Sequence, residues 1–131
     1  MRTIVLAGLA ALLATASLAQ AAATLVSPGL PTVSDTSGVC YFRNVGTTPI
    51  TLTASIIQNF VPDSIDPTSQ TCNDAPLAPG RTCVVFAETL PADVTFECSA
   101  VVSNAKNLRA TAELRRLIGH SFAVIASQEL Q

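Results

Sequence analysis

The chain has 131 residues, 49% of them apolar, with nine Asp and Glu against seven Lys and Arg. A chain of this length buries one real core and excludes multi-domain enzymes and two-domain dinucleotide-binding architectures. Of the first 23 residues 17 are apolar; of the 108 that follow, 47 are, an ordinary share for a globular domain. Those 108 carry six cations and nine carboxylates, too acidic a balance for a general nucleic-acid binder.

The N-terminus reads as an export address. Met1-Arg2 supplies a positive start, Ile4 to Leu13 an uncharged Ala- and Leu-rich run, and Ala16 to Ala23 a small-residue stretch. That order defines a secretory signal peptide. Ala19-Gln20-Ala21 fits a cleavage site before Ala22, and Ala21-Ala22-Ala23 fits about as well. The rival is a membrane anchor. The run is Ala-dominated and has no basic residues on its far side, which favours cleavage. Residues 1–22 are therefore expected to be a signal peptide and 23–131 a single domain with no membrane span of its own.

Downstream, alternation of apolar and polar residues dominates, the mark of half-buried strands. Strands are expected at 23–26, 39–45, 50–56, 82–88, 96–100, 108–115 and 122–127. The clearest is Leu108-Arg109-Ala110-Thr111-Ala112-Glu113-Leu114-Arg115, strictly apolar at even positions. Asn44 to Pro49, Leu77-Ala78-Pro79-Gly80 and Ile118-Gly119-His120-Ser121 supply turns between strands. About seven strands joined by short turns, without helical patterns, predict an all-β fold: an antiparallel immunoglobulin-like sandwich. The antibody branch does not fit, because the chain has no Trp, and Phe96 stands where that branch carries a corner Tyr. Residues 59–81 resist the scheme, since Pro62, Pro67, Pro76 and Pro79 forbid a central strand.

Export gives the four cysteines their meaning, because an even number in an oxidising compartment predicts disulfides. Zinc is the alternative, but gaps of 32, 11 and 15 between successive cysteines lack the close pairs that zinc sites favour. Three pairings are possible. Cys40 shares a strand face with Phe42, and Cys98 shares one with Phe96 and Ala100, so both are expected to point inward and pair. Cys72 and Cys83 would then staple the second half of the 59–81 stretch.

Cys40-Tyr41-Phe42-Arg43-Asn44-Val45-Gly46-Thr47-Thr48-Pro49-Ile50-Thr51, Leu77-Ala78-Pro79-Gly80-Arg81-Thr82, Phe96-Glu97-Cys98 and Asn107-Leu108-Arg109-Ala110 also carry a family likeness. Over most of residues 38–127 the chain resembles small exported bacterial immunoglobulin-like proteins. The resemblance implies a sandwich fold and export, and names no ligand. The Cys72/Cys83 pair is an addition to the shared pattern.

Catalytic signals are thin. His120 is the sole histidine and sits in an expected turn, where a polar surface role suits it. Ser103-Asn104-Ala105-Lys106 matches S-x-x-K in letters, but it links two strands and lacks a buried helix. Asp63, Asp66, Asn73 and Asp74 offer oxygens to calcium, yet form no EF-hand pattern and suit turns equally. Arg109, Arg115 and Arg116 read as a solvated strip that discourages edge pairing. No enzyme, cofactor or metal site is expected.

The sequence thus predicts a secreted or periplasmic β-sandwich acting as a binding or structural module for an unknown extracytoplasmic partner, such as a protein. The alternative is a secreted inhibitor or effector acting through the stapled loop. The candidate binding loop carries Phe60, Val61, Asp63, Ile65, Asp66 and Leu77, since rigid sandwiches often present function on loops.

Overall fold

A computed structural model describes residues 22–58, 61–73 and 75–130. Apart from Ala22, the expected signal peptide lies outside the described residues. Ten strands follow in chain order: β1 (Ala23–Val26), β2 (Leu30–Pro31), β3 (Thr36–Asn44), β4 (Leu52–Gln58), β5 (Val61–Ile65), β6 (Ser69–Gln70), β7 (Thr82–Ala87), β8 (Thr95–Val102), β9 (Leu108–Ile118) and β10 (Ser121–Leu130). They form two five-stranded antiparallel sheets: β1-β8-β4-β5, with β2 also on β8, and β10-β9-β3-β7-β6. The sheets pack face to face as a sandwich.

The alternating runs supply the two inner faces. In β9, Leu108, Ala110, Ala112 and Leu114 are all buried. In and before β4, Ile50, Leu52, Ala54 and Ile56 are buried, while Thr51 and Thr53 are exposed. Phe42 from one sheet and Phe96 from the other are wholly buried in one continuous core cluster. Gly38 gives the Phe96 ring its place, since a Cβ there would lie 2.6 Å from Phe96 Cε2. The Cys40–Cys98 disulfide joins β3 to β8 through this core, and Cys72–Cys83 closes the short loop before β7. The first pairing matches the strand-face argument, and the second is the pair which that argument leaves.

Three strands exceed the expected set. β2 and β6 have two residues each, too few to show a periodicity. β5 lies inside the Pro-rich stretch, but at a sheet edge, where Pro62 breaks no central ladder. The 59–81 stretch, expected to hold no central strand and to form a loop, thus carries an edge strand. The Asn44 to Pro49 connection crosses from one sheet to the other instead of making a hairpin. Fully buried Asn44 organises it: Nδ2 donates to Thr48 O and Leu77 O, each at 2.8 Å, and Oδ1 accepts from Gly46 N at 2.9 Å.

Candidate functional site

The described residues of the 59–81 segment form a strap that clothes two strand edges. It pairs with β4 as β5, crosses to β7 as β6, and is fastened there by Cys72–Cys83. It then returns to β4. Ala54 N donates to Asn73 Oδ1 at 2.8 Å, and Asn73 Nδ2 donates to Ala54 O at 3.3 Å, so one amide side chain substitutes for a strand residue. Leu77 bridges Ile50 beyond that point.

The candidate binding residues disperse along this strap. Val61, Asp63 and Ile65 belong to the β5 backbone, and Asp66 follows it, exposed. Leu77 is 8% exposed and packs in the core, so it offers no contact surface. Phe60 lies outside the described residues. The strap therefore reads as edge cover.

On the opposite side of the sandwich, β10 pairs with β9 alone and ends its sheet. Edge strands invite pairing with other chains unless they are short, charged, interrupted by Pro or covered. The other edges among the described residues meet that requirement. β1 has four residues and Pro28 just beyond, β5 carries Pro62, and β6 has two residues. β10 runs for ten residues with neither Pro nor Lys, and its only charge is Glu129. A bulge at Ile125 is its single guarding irregularity.

The hairpin that carries this edge is also apolar outside. Leu117, Ile118, Phe122, Val124 and Ile125 are each 44–61% exposed. Phe122 meets Phe86 edge-on, with ring centroids 6.5 Å apart. The Arg residues expected to discourage edge pairing sit on β9, an internal strand, and guard no edge. Arg115 is held by Glu113 at 2.6 Å and by the Tyr41 hydroxyl, with its guanidinium 5.6 Å from the Tyr41 ring centre. Arg109 turns back to the carbonyls of Lys106 and Leu108.

The remaining chemical candidates are structural or solvated. His120 is exposed in the β9–β10 turn. Ser103 Oγ accepts from Thr51 N, and Ala105–Asn107 form a 3-10 turn linking β8 to β9. Asn73 is committed to Ala54 and Gln70, and Asp74 lies outside the described residues. Among the described residues no group of three or more His, Cys, Asp or Glu side chains gathers as a metal site. None of their helices is long and apolar enough to cross a membrane.

No family model, curated protein or solved structure matches this chain.

One residue escaped the sequence reading. Glu97 occupies a polar position in the alternation of β8, yet it is 1% exposed. Between β1 and β2 the chain bulges at Ser27–Pro28–Gly29 against β8, with Ser27 N donating to Cys98 O and Cys98 N donating to Ser27 Oγ. Val26, Ser27, Pro28 and Ile57, the β4 residue paired with Glu97, line one cleft together with Glu97. Neither Glu97 oxygen has a hydrogen-bonding partner among the described residues. Burial pushes its pKa above the ordinary 4.5, because desolvation disfavours the anion. A raised folded-state pKa means that the native state binds more protons than the unfolded one between the two pKa values. The stabilising effect of the proton is complete below about pH 4.5 and is lost as pH rises through the folded pKa. Glu97→Gln is therefore expected to raise stability at pH 7, with the gain shrinking toward pH 4. Urea unfolding at both pH values checks this; an equal effect at each would contradict it.

Proposed function

We propose that this chain is an exported, non-catalytic immunoglobulin-like module that binds an extended segment of another polypeptide along β10. The unguarded edge of β10 carries this reading. Strand addition there satisfies backbone groups that face away from β9, and exposed apolar side chains add contact area. Two disulfides suit an oxidising compartment outside the cytoplasm, secreted or periplasmic. The N-terminal pattern supports export, with both cleavage motifs ending next to the start of β1. One core disulfide joining strands of opposite sheets favours the immunoglobulin-like reading. The ties of Cys72 to β7, of Asn73 to β4 and of Leu77 to Ile50 do not favour an inhibitor that inserts a projecting loop.

The test is affinity capture from the native envelope and medium with three baits: wild type, Val124→Lys/Ile125→Lys, and a variant shortened within 59–81. Lysines on an edge block strand addition, and both positions are already exposed, so the fold tolerates them. A partner kept by the shortened strap and lost by the lysine pair is the expected outcome. A partner held equally by the lysine variant would overturn the reading. A dimer of this chain that dissociates in the lysine variant would place a second copy on β10.

A further inference from the structure

The bulge over Glu97 opens a cleft of about 910 Å³ lined by Val26, Ser27, Pro28, Ile57, Glu97, Gln128 and Glu129. Three of these are apolar walls and two are carboxylates. Glu97 is the deep one, 1% exposed, and Glu129 is an exposed one from the far end of β10. Gly29 packs closely over the Thr95 and Glu97 side chains, since a Cβ there would lie 3.2 Å from Glu97 Oε1 and 1.9 Å from Thr95 Cγ2. The only ion pair among the described residues is Arg115–Glu113, so none of their cations neutralises either cleft carboxylate. Lys106 and Arg109 border a neighbouring cleft that Glu129 shares, without closing an ion pair on it.

We infer that this cleft binds a primary alkylammonium group, with its nitrogen on Glu97 and Glu129 and its methylene stem against Val26, Pro28 and Ile57. A buried carboxylate without hydrogen bonds is costly, and a cation that donates to it relieves that cost through charge-assisted bonds. A bare metal ion fits less well, because the cleft offers two carboxylates and apolar walls in place of a full oxygen shell. The ammonium group could come from a lysine side chain of a polypeptide or from a free diamine. The cleft meets β10 only at Gln128 and Glu129, beyond the Val124 and Ile125 positions that test strand addition, so the two readings fail independently.

The test is an amide-resolved NMR titration of the oxidised protein with three probes: 1,5-diaminopentane, N-acetyl-lysine methylamide and 1,5-pentanediol. Both amines are expected to shift Val26, Ser27, Ile57, Glu97 and Gln128, and the neutral diol to leave them in place. Glu97→Gln should weaken amine binding by about tenfold or more, as removal of a charged hydrogen-bonding partner does. That variant keeps the side-chain shape and is expected to fold at least as firmly as the wild type. Glu129→Gln should weaken binding less, and Val124→Lys/Ile125→Lys not at all. A stronger response to the lysine derivative assigns the site to a polypeptide, and a stronger response to the diamine assigns it to a free amine. Absence of shifts with both amines, equal shifts with the diol, or unchanged binding in Glu97→Gln would overturn the inference.

Discussion

Replacing Cys40 and Cys98 together by alanine is expected to lower the unfolding free energy by about 4 kcal/mol. The bond joins residues 58 apart in sequence, and the entropy removed from the unfolded chain grows with the loop closed. Both cysteines are fully buried between Phe42 and Phe96, so the packing they lose adds to the entropic effect. A domain of this size is stable by only about 5–15 kcal/mol in total, so the variant loses a large fraction of it. Cys72–Cys83 spans 11 positions, and its removal should cost about 3 kcal/mol on the same reasoning. Equilibrium urea unfolding under non-reducing conditions measures both. A loss below about 1 kcal/mol for the Cys40/Cys98 variant would contradict its place at the centre of the core.

Asn44→Leu is expected to cost about 3 kcal/mol, although leucine has the same branching and number of side-chain heavy atoms as asparagine and is the more apolar. The asparagine side chain serves three backbone groups: the carbonyls of Thr48 and Leu77 and the amide of Gly46. Leu77 O is the decisive one, because its bond to Asn44 is buried and water cannot replace it. The backbone of Asn44 also binds Arg81 O and receives Gly80 N, so loosening this point frees two turns at once. Thr47→Ala, on the exposed side of the same turn, serves as the control and should change stability by less than about 0.5 kcal/mol. Equal effects of the two substitutions, read from urea midpoints at constant slope, would refute the structural role given to Asn44.

Much of the fold was legible because strict alternation leaves only one face for burial. Leu108 to Leu114 and Ile50 to Ile56 show this, and the same parity aimed Cys40 and Cys98 at each other. β5 was hidden because Pro62 breaks its pattern, and an edge strand needs only one good side. Asn73 acts through a side chain that imitates backbone, which no periodicity records. The position of β10 at the sheet edge depends on strand order, a nonlocal property. Its sequence did carry a signal, however: ten residues from Ser121 without Pro or Lys. Glu97 was misleading for a different reason. Alternation assigns it to the outer face correctly, but the Ser27–Gly29 bulge that covers it lies about 70 residues away, as the 71-residue separation of Ser27 and Cys98 shows. Local pattern reports which face a side chain takes, and the chain that covers that face comes from elsewhere.

The reading of β10 as a strand acceptor is tested most directly by amide hydrogen exchange in the presence of a synthetic peptide copying Ser121–Leu130. The account predicts slowed exchange concentrated in the β10 amides that point away from β9, with the 59–81 strap unaffected. Val124→Lys/Ile125→Lys should abolish that protection while leaving the core amides of β3 and β8 as slow as before. Protection centred on the strap, or none in β10 at saturating peptide, would contradict it.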